Sequence, residues 1–287
     1  MRIYLDCYPC FMRQALSAAR RSNVSEEQQY LVMKQALSYL RDIPPHATPP
    51  DIAYRIHQLV REAITVDDPY KTAKEYSTKI ALDIYPRLKE IVGDSDNPLD
   101  TAIRISIAGN IIDFGFKEDI DDLWLTVQDV LQKPYAINHT QQLYQIFEQS
   151  EELLFLADNA GETVFDRVLI EELSIPVTYV VKGGPILNDA TIEDAQAAGM
   201  DRCASIITNG SQAPGTIISL CSDDFIKRYQ SSSLIIAKGQ ANYETLSEAD
   251  EKVFCLLQVK CPVIAADIGV ATGNIVVRQS KNFANKN

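Results

Sequence analysis

Histidine is scarce in this chain of 287 residues: His46, His57 and His139 are all there is. They lie in the first half at no metal-ligand spacing, which argues against a zinc hydrolase built on imidazoles. Long apolar runs are missing too. None approaches the ~20 residues needed to span a bilayer, and Met1-Arg2-Ile3-Tyr4-Leu5-Asp6 lacks the apolar core of a secretory signal. A cytoplasmic protein is expected. Positive charge is in deficit, with 27 Lys and Arg against 39 Asp and Glu and a net charge of −12. That balance opposes a nucleic-acid partner or an anionic membrane surface, so a bound phosphate has to be held locally, together with a metal. Six cysteines without a secretory signal do not make a disulfide framework in a chain this long. Three familiar motifs are also absent: the Gly-x-x-x-x-Gly-Lys-Ser/Thr loop, a Gly-x-Gly-x-x-Gly turn after the first strand candidate, and the Gly-x-Ser-x-Gly elbow.

What is present changes character near residue 148. Up to there the apolar residues recur at helical spacing. Ser25-Glu26-Glu27-Gln28 reads as a capping box before Tyr30, Leu31, Met33, Leu37 and Leu40. Ile52, Ile56, Leu59, Val60 and Ile64 form a second stripe, Thr72 to Val92 a long helix that Pro86 ends or kinks, and 99–112, 120–131 and 140–147 further helices. After residue 150 short β-branched runs take over: Leu153–Ala157, Val177–Val181, Ser205–Thr208, Leu234–Ala237, Val253–Val259 and Val263–Ala266. Helical segments separate most of them, the signature of a mostly parallel sheet. The fold class expected is α/β: a Rossmann-like sheet flanked by helices over 149–287, with an all-helical domain or cap over 1–148.

In such a sheet the strand tips share one edge, where ligands bind. The first four tips carry Asp158-Asn159, Lys182-Gly183-Gly184 with Asn188-Asp189 just beyond, Asn209-Gly210-Ser211, and Lys238-Gly239-Gln240-Ala241-Asn242. Asp158, Asn159 and Asp189 offer three oxygens for a hard divalent cation such as Mg²⁺ or Mn²⁺, with open positions for a phosphate. Gly161, Gly183, Gly184, Gly210 and Gly239 allow backbone N–H groups to approach an anion, and Lys238 supplies a point charge. Plainer readings exist. Asp158 or Asn159 would cap the helix beginning near Val164, Asp189 the one near Thr191, the glycines would serve tight turns, and Lys182 would be solvated. Asn110 and Asp113 lie about one helical turn apart amid apolar neighbours, placed either to reach the site or to end a helix at Gly109 or Gly115. Cys7-x-x-Cys10 is half a tetrahedral zinc site that Cys255 and Cys261 would complete, a redox pair, or two packed thiols.

Taken in order, Asp6-Cys7-Tyr8-Pro9-Cys10, Gly109-Asn110-Ile111-Ile112-Asp113-Phe114-Gly115, Asp158-Asn159-Ala160-Gly161-Glu162, Lys182 to Thr191, and Lys238-Gly239-Gln240-Ala241-Asn242-Tyr243-Glu244 resemble the blocks of the DUF89 family, the ARMT1-like damage-control metal phosphatases. The likeness is greatest to the prokaryotic branch with an N-terminal Cys-x-x-Cys. The resemblance implies a helical N-terminal part on a Rossmann-like core, and hydrolysis of small phosphometabolites such as sugar phosphates with one divalent ion, Mn, Mg, Co or Ni. It implies Asp158, Asn159 and Asp189 as metal ligands and Lys238 as the phosphate-binding lysine. Asp158, Asp189 and Lys238 are then the catalytic set. Asn110, Asp113, Gly161, Glu162, Gly183, Gly184, Asn209 and Gly239 are the substrate- and phosphate-binding candidates. Two competing functions stay open at this level: a nucleotide- or S-adenosylmethionine-dependent transferase, and a non-catalytic metal or redox protein centred on Cys7 and Cys10.

Overall fold

Seven strands form one sheet in the order β1-β7-β6-β5-β2-β3-β4. They are β1 (Tyr135–Asn138), β2 (Leu153–Leu156), β3 (Val177–Val181), β4 (Ser205–Thr208), β5 (Ile235–Lys238), β6 (Val253–Gln258) and β7 (Ile275–Gln279). Every pairing is parallel except β6 with β7. The computed structural model describes residues 1–44, 47–64, 66–111, 120–249 and 253–280. β2, β3 and β5 are buried along their whole length, as strands covered by helices on both faces must be.

The helices are α1 (Cys7–Arg21), α2 (Glu26–Arg41), α3 (Pro49–Ala63), α4 (Lys71–Gly93), α5 (Pro98–Ile111), α6 (Ile120–Gln132), α7 (Thr140–Gln149), α8 (Glu162–Ile170), α9 (Ile192–Ala197), α10 (Asp223–Ser231), α11 (Gly239–Leu246) and α12 (Pro262–Ile268). α1, α2 and α3 close on a core of their own, with Phe11, Ala15, Val32, Ala36, Ile52 and Ile56 at its centre. α4 to α6 instead belong to the core of the sheet, where Leu88, Ile103, Ile107 and Leu123 pack with Phe155, Phe165 and Val168. No helix among the described residues is long and apolar enough to cross a membrane.

Several elements differ from the sequence reading. Val263–Ala266, read as a strand, lies in α12. Pro262 starts that helix, Cys261 Sγ accepts the N–H of Ile264, and Gly269 ends it with φ 84°. A four-residue apolar run has no period of its own, so its flanking caps decide. β1 falls inside the stretch read as helical and pairs with β7, which the sequence reading also lacks. α4 runs through Pro86 without ending. On α2 the Ser25–Gln28 capping box forms, but the buried face is Val32, Ala36 and Leu40, while Tyr30, Leu31 and Leu37 are exposed.

Candidate active site

The register of β2 against β3 sets the site. Leu156 pairs with Val180, so both chains leave the sheet side by side. The segment after β3 then folds back: Ala190 N donates to Asp158 O at 2.8 Å, Ala160 N donates to Asn188 O at 2.9 Å, and Lys182 N donates to Ala190 O at 2.9 Å. Asn159 and Asp189 thereby form an isolated bridge. Two segments 30 residues apart in sequence become a single corner.

The capping alternatives are not what forms. α8 begins after Gly161 with no side-chain cap, which frees Asp158 and Asn159 from that duty. α9 begins after Thr191, whose N–H and hydroxyl donate to Asp194 Oδ2 at 2.9 and 2.7 Å. Asp189 caps nothing.

α5 brings the third side. A Cβ on Gly109 would sit 2.7 Å from Phe165 Cβ, so only glycine lets α5 press this closely on α8. Asn110 follows at once and donates Nδ2 to Asp158 Oδ2 at 2.9 Å and to Glu162 Oε2 at 3.1 Å. Asn159 Nδ2 donates to the same two oxygens, at 3.1 Å each. Asn110 Oδ1 is buried with no hydrogen-bond partner among the described residues. On the fourth side, Gly239 has φ 78°, and a Cβ there would overlap Asp158 Oδ2. The tip of β5 closes over the carboxylate only because this residue has no side chain.

Lys238 departs from its expected place. It is fully buried rather than facing an open phosphate site, and its ammonium donates to Ser106 O at 2.9 Å, to Glu162 Oε1 at 2.6 Å and to Asp166 Oδ1. Burial opposes its charge, yet Asp166 and Glu162 outweigh that and hold its pKa above the usual lysine value. Lys182, for which a solvated role was open, is buried as well. It donates to Gly215 O and lies 3.4 Å from Asp189 Oδ2, an ion pair without a formed hydrogen bond. Gly183 and Asn209 organise the neighbouring loop: Gly183 N donates to Ser211 O at 2.8 Å, and Asn209 Oδ1 accepts from Ser211 N at 2.9 Å. Gly184 lies against Gln212 in that loop. Asp113 lies outside the described residues.

The electrostatics single out the corner. Burial, then Glu162 and Asp189, push the Asp158 carboxyl well above the carboxylate range. Burial pushes Asp189 up to about 6 against the pull of Lys182, and Asp166 up to about 6 against that of Lys238. Four carboxylates, Asp158, Glu162, Asp166 and Asp189, thus meet two ammoniums, Lys182 and Lys238, with Lys260 acting on Asp158 from further off. If all four were ionised, two negative charges would be in excess of the two ammoniums, and the raised carboxyls resist that. Of the six, Asp158 keeps the most exposure, so the open mouth of the cluster is there.

Sequence reasoning missed Ser106, Asp166 and Tyr179, which line the rear of this network. One signal was available: Asp166 lies four residues after Glu162, on the same face of α8, amid Val164, Phe165 and Val168. Cys7 packs in the core of α1 to α3 and Cys255 in a second cluster, while Cys261 packs against both, and all of them are free thiols. Among the described residues no group of three or more His, Cys, Asp and Glu is arranged to hold a metal ion. The corner has two such ligand candidates, Asp158 and Asp189, and its third is the amide of Asn159.

Residues 3–276 match the family model described as the damage-control phosphatase ARMT1-like domain. A damage-control phosphatase of Archaeoglobus fulgidus is 39% identical over 238 residues, 79% of this chain and 81% of its own. One of Pyrococcus horikoshii is 30% identical over 290 residues, covering 98% of this chain and 99% of its own. The crystal structure of a DUF89 family protein from Pyrococcus horikoshii superposes with a TM-score of 0.90 at 28% identity, over 98% of this chain and 100% of that one.

Proposed function

The chain belongs to the damage-control phosphatase ARMT1-like family, and from that premise we propose that it is a divalent-metal-dependent phosphatase of small phosphorylated metabolites, working at the Asp158 corner. The observation that carries the metal is the charge balance there. With the carboxylates of the corner all ionised, negative charge exceeds that of the two buried ammoniums by two, which is unfavourable at a buried strand edge unless protonated or met by a cation, and one divalent ion would offset that excess. The donor set fits: Asp158, Asn159 and Asp189 would hold the ion, and carboxylate and amide oxygens suit Mg²⁺ or Mn²⁺. When bound, the ion supplies Lewis-acid polarisation of a phosphoryl oxygen.

The chain's own residues supply binding and orientation. α8 starts at Glu162, directly beside the corner, so its dipole favours an anion there. Lys182 holds a positive charge against Asp189 from the β3 side. Lys238 adds its charge from below as a field rather than as a hydrogen bond, because its three hydrogens already have acceptors. Asn110 Oδ1, buried and without a partner among the described residues, is an acceptor for a ligand hydroxyl or a metal-coordinated group. The net charge of −12 agrees with a small-molecule substrate held locally rather than with a polyanion.

Phosphate release from a panel of sugar phosphates and other phosphomonoesters, with Mn²⁺, Mg²⁺, Co²⁺ or Ni²⁺ and after chelation, tests this. Cation-dependent release is expected. No release with any cation, or release that chelation leaves intact, would overturn it.

A further inference from the structure

Asp166 is sealed from solvent and held from three sides. Ser106 Oγ donates to its Oδ1 at 2.7 Å, Tyr179 Oη donates to its Oδ2 at 2.8 Å, and Lys238 donates to its Oδ1. Tyr179 is itself fully buried and stacks on Phe155 of β2, ring centroids 5.4 Å apart. From this group to the corner the hydrogen bonds lead through Lys238 to Glu162 Oε1 at 2.6 Å, and from Glu162 Oε2 to the amides of Asn110 and Asn159, both at 3.1 Å.

A buried ionic network of this kind contributes little stability compared with apolar packing, so what it fixes is orientation. Each of the two amides can sit with oxygen or nitrogen inward. With Asp158 ionised, as a ligand to a cation must be, Glu162 Oε2 and Asp158 Oδ2 are both acceptors, so only the orientation with Nδ2 inward satisfies them. That leaves the amide oxygens of Asn159 and Asn110 as the ligand atoms. We infer that Asp166, seated by Ser106 and Tyr179, is a positioning residue: through Lys238 it fixes Glu162, and through Glu162 it fixes those two amide oxygens. This rests on the corner being the metal site of the phosphatase.

Calorimetric titration with Mn²⁺ alone gives a readout independent of turnover. Asp166→Asn and Glu162→Gln are each expected to weaken Mn²⁺ binding about tenfold, as partners behind a ligand do. The double variant is expected to be no weaker than Glu162→Gln alone, because both act along one path. A simple field of the Asp166 charge would predict multiplied losses instead. Tyr179→Phe removes one hydroxyl and keeps the ring stack, so it remains usable where the charge variants fold poorly. Its expected loss is about fivefold, the worth of one hydrogen bond, and it vanishes in the Glu162→Gln background. The same pattern is expected in kcat/KM for phosphomonoester hydrolysis. Folded Asp166→Asn and Tyr179→Phe proteins with the parent's Mn²⁺ affinity would overturn the positioning role, as would independent losses in either cycle. Both of those outcomes leave the parent enzyme active. A parent that neither binds Mn²⁺ nor releases phosphate would instead overturn the function, and this inference with it.

Discussion

Asp158 and Lys238 sit at the tips of the adjacent strands β2 and β5 in one cluster, yet their substitution should have opposite consequences for the fold. Burial and the neighbouring Glu162 and Asp189 disfavour the ionised Asp158, so its carboxylate costs stability that a bound cation would offset. Asp158→Ala is therefore expected to keep its melting temperature within a few degrees. It should lose more Mn²⁺ affinity than the about 10–100-fold that outer partners are worth, and nearly all hydrolysis. Unchanged affinity by calorimetry would remove Asp158 from the ligand set. Lys238→Ala, which removes what the sequence reading takes for the phosphate-binding lysine, should be among the most damaging substitutions. It strands Glu162 and Asp166, both fully buried, at a cost of about 3–5 kcal/mol. A urea midpoint equal to the parent's would show that the lysine is not the counter-charge of this network.

At the scale of elements, α3 places His57 in the core with Nε2 unpartnered among the described residues, and burial lowers its pKa to about 4. The unfolded chain then binds more protons than the native one between about 6.5 and 4, so stability falls as pH drops through that window. His57→Met should remove this loss. Melting at pH 7 and pH 5 checks it: the parent should lose about 2 kcal/mol more than the variant. α1 carries Cys7 and Cys10 at its start as free thiols. Because a hard cation held by oxygens needs no thiolate, Cys7→Ser with Cys10→Ser should retain hydrolysis on the folded fraction, though with lower thermal stability because Cys7 packs in the core of α1 to α3. A folded double variant inactive at saturating Mn²⁺ would put the thiols in the catalytic machinery. Elements were legible where their own signals agreed. The Ser25–Gln28 box and the β-branched runs Val177–Val181 and Ser205–Thr208 formed where their residues indicate. α12 was misread because Val-Ile-Ala-Ala suits a strand or a helix equally, and α2 turned a different face inward because Tyr30, Leu31 and Leu37 found no partner element.

For the molecule as a whole, a cation that binds the native corner and not the unfolded chain must raise stability, by about 2.7 kcal/mol at one hundred times its Kd. Mn²⁺ should raise the melting temperature, chelation should reverse it, and Asp158→Ala should show neither effect. A parent melting curve indifferent to Mn²⁺ would contradict the site. The sequence by itself determined the class of this protein: the alternation of strands and helices after residue 150, the convergence of strand tips that follows from a parallel sheet, and Asp158, Asn159 and Asp189 at those tips. These are local signals, carried by period, composition and topology. Only the tertiary structure decided which groups surround them. The bonds that seat the rear of the site join residues 60, 72, 76 and 132 positions apart, Ser106 with Asp166, and Lys238 with Asp166, Glu162 and Ser106. Whether Lys238 faces solvent or two carboxylates depends on how closely α5 and α8 pack beneath β5. No spacing along the chain encodes that distance.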